Sequence, residues 1–71
     1  MTEEIIKERR KFIVDHSRYP EIILFHPRTG DLFIKTNYNN IDLSEDKEII
    51  KYKEMRVFRS FDVKEGEFKL Y

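Results

Sequence analysis

There is no cysteine among the 71 residues, so neither a disulfide nor a thiolate metal site can form. That absence suits a reducing compartment. A domain this small buries only a modest share of its surface, and such domains usually rely on disulfides, a metal or oligomerisation. Of these supports, oligomerisation stays open. Glycine is scarce as well. Gly30 and Gly66 stand alone, whereas Walker and dinucleotide loops need several glycines close together.

An excess of one charge is also missing: 14 basic residues balance 14 acidic ones. The balance is local too, since residues 44–71 carry seven of each sign. A duplex-DNA or membrane-surface protein more often shows a basic excess. No apolar run approaches the ~18 residues that would span a bilayer. Near the start the longest such run is Phe12-Ile13-Val14, ringed by charges, so no signal-peptide core is visible. The expectation is a soluble, cytoplasmic protein forming one domain over residues 1–71.

What is present reads as one helix followed by strands. Residues 2–17 carry Ile5, Phe12 and His16 on one stripe, thickened by Ile6 and Ile13. Thr2 is the expected N-cap, Glu3 and Glu4 favour the first turn, and Pro20 blocks continuation. Residues 21–25 (EIILF) form a short apolar run between two prolines and read as a buried strand. Residues 26–31 then read as a turn around Pro27 and Gly30, and residues 31–36 as a returning strand. A competing reading makes Pro27 the first residue of a helix reaching about Asn37. Asn37 to Asn40 is a loop by composition, and residues 41–43 pair briefly. Residues 44–46 cap a helical turn leading into 47–50, and 51–54 form a polar connection. Residues 55–60 alternate as a strand, with Met55 and Val57 on one face and Arg56 and Phe58 on the other. Gly66 closes a turn before a last strand over 67–71, with Phe68 and Leu70 inward and Lys69 and Tyr71 outward. The expected fold class is α+β: an N-terminal helix packed on a small antiparallel sheet of three to five strands.

Catalytic chemistry finds no foothold in these residues. His16 and His26 are the only histidines, and they lack metal-ligand spacing. Ser17, Ser44 and Ser60 have no nucleophile-elbow context. Asp31, Asp42 and Asp62 fall where turns and helix ends already explain them. A small sheet with one helix leaves little room for a substrate pocket of ~300 Å³ or more. No enzymatic activity, cofactor, metal or small-molecule substrate is expected.

Two surfaces stand out as places for a partner. The densest basic run includes Arg9 and Arg10, which spread around a helix and are offset by Glu4 and Glu8. If residues 55–60 pair with 67–71, then Arg56, Phe58, Lys69 and Tyr71 share the outward face. A solvated sheet face does not need Phe58 and Tyr71. Three explanations compete: cover by another part of the chain, such as the loop at Tyr38; a protein or self-association interface; or a platform on which single-stranded bases stack.

The segment from Tyr52 through Met55, Val57 and Ser60, then Asp62-Val63 and Gly66-Glu67-Phe68, resembles the tail of small proteins encoded by bacteriophages and prophages. Those show a Tyr-x-Gly-Met-x-Val element, a polar Gly-Glu turn and a final apolar strand. Pro20 to Leu24 and His26-Pro27 are similar in kind. Here Glu54 stands in place of the glycine. The resemblance implies a phage or prophage accessory protein that binds a host or viral partner, in the host cytoplasm. The leading expectation is a non-enzymatic interaction module using Arg56, Phe58, Lys69 and Tyr71, with Arg9 and Arg10 as a second patch. A single-strand nucleic-acid binder and a structural homo-oligomer subunit are the alternatives.

Overall fold

Helix α1 covers Thr2–His16 and buries Ile5 and Phe12. The N-cap is Met1, not Thr2, because the Met1 carbonyl already accepts the Ile5 amide at 3.0 Å. Thr2 therefore lies inside the helix, and its hydroxyl donates to Asn37 Oδ1 at 3.4 Å. The helix ends at Ser17, which turns left-handed at φ 54° while its amide donates to the Ile13 carbonyl at 2.9 Å. The computed structural model describes residues 1–43 and 49–71. The helical turn expected over 44–50 therefore lies outside the described residues, apart from its last two positions.

Strand β1, Ile22–Phe25, leads directly into a second helix, α2, Pro27–Thr36. The hairpin expected over 21–36 does not form, and the alternative helix does. Its start has a physical basis. Pro27 occupies the first turn, where its missing amide costs nothing, and His26 Nδ1 accepts the Arg28 amide at 3.1 Å. Gly30 and Phe33, three apart, form the buried side of the helix. Gly30 is thus a packing residue and not a turn residue. Asn37 closes the helix, its side-chain amide donating to the Phe33 carbonyl at 3.1 Å.

A 3₁₀ turn at Tyr38–Asn40 precedes β2 (Ile41–Leu43), followed by β3 (Ile50–Tyr52), β4 (Met55–Arg59) and β5 (Phe68–Leu70). The polar connection expected over 51–54 is a tight hairpin. Tyr52 pairs with Met55, and Lys53 and Glu54 take φ of 50° and 67°. Two central residues with positive φ are the mark of a type I′ turn. Gly66 has φ 81° in the turn before β5, as its position suggests.

The five strands lie in the order β2-β3-β4-β1-β5. All pairings are antiparallel except β1 with β4. Strands β4 and β5 are therefore not neighbours, which corrects the expected C-terminal hairpin. The continuous apolar strand β1 lies between them. Arg56 donates its amide to the Glu21 carbonyl and Ser60 to that of Phe25, each at 2.8 Å. On the other side Ile22 and Tyr71 exchange amide–carbonyl bonds, both at 3.0 Å.

Ile5 of α1 and Phe33 of α2 join one core with Ile23, Phe25, Tyr52 and Met55. The Phe33 ring lies 4.8 Å from that of Phe25 and meets Tyr52 edge-on at 4.9 Å. Burial raises the Tyr52 phenol above its ordinary pKa. Both helices thus cover the same face of the sheet. No helix among the described residues is long and apolar enough to cross a membrane.

Candidate functional site

The registers define what stands on the opposite face, which no helix among the described residues covers and which is called helix-free below. Asp42, Lys51, Arg56, Ile22 and Tyr71 form one row across all five strands. Phe58, Leu24 and Lys69 form a second row across β4, β1 and β5. Arg56, Phe58, Lys69 and Tyr71 do share a face, as the alternation within each strand requires. Strand β1 separates the first two from the last two and adds Ile22 and Leu24 at the centre.

These central side chains are half-buried, while Phe58 is 45% and Tyr71 49% exposed. Tyr38 is itself 61% exposed. The result is an apolar strip, Phe58-Leu24-Ile22-Tyr71, bordered by Arg56, Lys51 and Lys69. Lys51 and Arg56 lie directly opposite one another, a like-charge cross-strand pair that weakens a free sheet. Among the described residues neither forms an ion pair.

Arg9 and Arg10 lie on the other side of the molecule and do not make a joint patch. Arg9 follows Ile5 by one turn, so it sits on the core-facing stripe and is half-buried. Its guanidinium lies 5.4 Å from the Tyr19 ring centre, and its Nε is buried with no hydrogen-bond partner among the described residues. Arg10 points to solvent.

The remaining candidates have structural occupations. The His16 ring packs on Phe12 at 4.1 Å, and His26 caps α2. Asp31 pairs with Arg59 on the outer surface, and Ser60 accepts the Asp62 amide at 3.1 Å. Among the described residues no group of three or more His, Asp or Glu is placed to hold a metal ion.

Reading the sequence missed Ile22, Leu24 and Lys51. A usable signal for the first two was the unbroken IILF run. Strands covered on both faces read as continuous apolar runs, whereas strands with one wet face alternate. Strand β1 is such a run, and among the described residues the helices cover only one of its faces. No protein-family model, curated protein or solved structure matches the chain.

Proposed function

We propose that this protein is a non-enzymatic interaction module whose helix-free sheet face binds another protein. The observation that carries this reading is the strip Phe58-Leu24-Ile22-Tyr71, apolar on the side of the sheet that neither helix covers. Aromatic and aliphatic anchors inside a charged rim are the usual make-up of a protein interface. Lys51, Arg56 and Lys69 outnumber Asp42 on this face, so two copies set face to face would oppose like charges. A different protein with an acidic rim around an apolar patch fits better. The resemblance to phage-encoded accessory proteins suggests a host or viral protein as that partner.

A single-stranded nucleic acid stacked on Phe58 and Tyr71 is the second reading, supported by the three flanking cations. It is less well served by the spacing. The two rings belong to strands separated by β1, roughly 10 Å apart across the sheet, and the ground between them is aliphatic. Sheet-based binders stack bases on aromatic side chains set closely enough for successive nucleotides.

A photo-crosslinking residue at position 58, compared with one at Val14 on the exposed side of α1, tests the reading in extracts of the source cell. One dominant protein adduct is expected at 58 and none at 14. Excess unlabelled wild-type chain should compete it away, and an Arg56→Glu/Phe58→Glu variant should not. Identical adducts at both positions, or equal competition by the variant, would overturn it. An adduct to nucleic acid that weakens steeply with salt would favour the second reading.

A further inference from the structure

We propose that the free edge of β5 takes up an extended, lysine- or arginine-bearing peptide segment as an added strand, seated in the groove beside α1. This surface adjoins the helix-free face at Lys69 and Tyr71, and the proposal does not rest on that reading.

Among the described residues strand β5 ends the sheet and pairs only with β1. The reciprocal bonds between Ile22 and Tyr71 fix the alternation of the ladder. Leu24–Lys69 is then the next bonded pair, and the amides and carbonyls of Phe68 and Leu70 point away from β1. No described residue bonds to those outward groups. They are what an incoming strand needs for main-chain pairing.

The space next to this edge is a groove of about 540 Å³ between α1 and β5. Phe12 contributes apolar surface to it, and Phe68 and Leu70 form its sheet side. Glu4, Glu8 and Asp15 line it from the helix, and Glu67 from the turn before β5. Lys11 and Lys69 are the basic residues on its lining, and the Lys69 side chain belongs to the opposite face of the sheet. An added strand would present alternate side chains to α1. Lysine or arginine at those positions lays its aliphatic stem beside the half-buried Phe68 and Leu70 and brings its cation to the carboxylates.

A second copy of this chain is the wrong occupant. Two-fold pairing that uses the outward groups of both Phe68 and Leu70 centres on Lys69 and sets it opposite its own copy. Like charges directly opposite destabilise a strand pair, and an edge lysine is a common guard against self-pairing.

The test uses a short blocked peptide alternating lysine with valine, its glutamate-for-lysine counterpart, and amide hydrogen exchange on the intact chain. The lysine peptide should slow exchange at the Phe68 and Leu70 amides at least about tenfold at saturation, and leave the Lys69 amide unchanged. It should bind at least about tenfold more tightly than the glutamate peptide. A Glu8→Lys/Asp15→Lys variant, altered only at exposed positions, should reverse that preference. No slowing at millimolar lysine peptide overturns the proposal, as does equal binding of both peptides. Slowing that depends on protein concentration without peptide assigns the edge to a second copy instead.

Discussion

Gly30 lies so close to Arg59 that a Cβ on the glycine would sit 2.8 Å from Arg59 Cγ and 3.2 Å from Phe25 Cβ. This is where α2 comes down onto β1 and β4. Alanine in a helix interior normally gains about 1 kcal/mol over glycine. Here the clash falls on an atom near the root of a side chain whose guanidinium is tied to Asp31, so it cannot swing aside freely. Gly30→Ala should therefore destabilise the fold, by about 1–2 kcal/mol. Urea unfolding reads this directly. In an Arg59→Ala background most of that cost should disappear, and a double-mutant cycle that shows simple additivity would refute the account.

Glu54 should respond in the opposite direction. It occupies the second central position of the β3–β4 turn at φ 67°, a left-handed conformation that costs an ordinary L-residue about 1–2 kcal/mol. Glu54→Gly removes that strain. The unfolding midpoint should rise, with a gain of about 1 kcal/mol after the extra chain entropy of glycine is counted. Glycine at Arg56, two residues further on and within β4, should destabilise. The contrast separates a turn effect from a general tolerance of glycine.

The buried Tyr52 phenol makes a prediction about alkaline pH. Its charged form is the deprotonated one, and burial raises its pKa in the fold above the ordinary 10.0. The folded chain therefore holds this proton to higher pH than the unfolded chain. Its contribution to stability is fully present below pH 10.0 and declines as pH rises through the folded value. Tyr52→Phe should be close to neutral at about pH 8 and should unfold less readily than the wild type at about pH 11. Denaturant midpoints at the two pH values check this. A constant difference between the proteins across that range would show that the phenol is not the titrating group.

How far these features were legible differs from element to element. The face assignment of Met55 to Arg59 followed from alternation, because a strand has only two sides and Met55 and Val57 had to go inward. The first helix was legible for a similar reason: Ile5 and Phe12 repeat at helical spacing. Pairing partners were not legible. Two neighbouring strands with a glycine turn between them suggest a hairpin, yet the chain places the all-apolar β1 between β4 and β5, where both its edges are paired. Residues 27–36 were ambiguous because Pro27 begins turns and helices equally well. What decides is tertiary: Gly30 and Phe33 face the sheet only in a helix. Lys53 and Glu54 hide their turn because neither residue type announces a positive φ. The candidate face is half visible in the sequence, through Phe58 and Tyr71, and its centre is hidden because Ile22 and Leu24 belong to an unbroken apolar run that does not tell one face from the other.

That centre supplies the last prediction, which separates stability from binding. Leu24 is half-buried and Phe58 is 45% exposed, so neither fills the core beneath the helices. Threonine has the β-branched shape that strands favour. Phe58→Thr should cost less than about 1 kcal/mol, since substitutions away from core, caps and strained backbone seldom cost more. Leu24→Thr should cost somewhat more, through its buried half. Phe25 is one residue on but fully buried, and Phe25→Ala should cost about 3–5 kcal/mol and leave little folded protein. If the helix-free face binds a partner, Phe58→Thr should lose the crosslinked adduct while circular dichroism and the thermal midpoint stay near wild type. A Phe58→Thr chain that unfolds like Phe25→Ala would place Phe58 in the core. One that keeps both its stability and its adduct would remove this face from the binding surface.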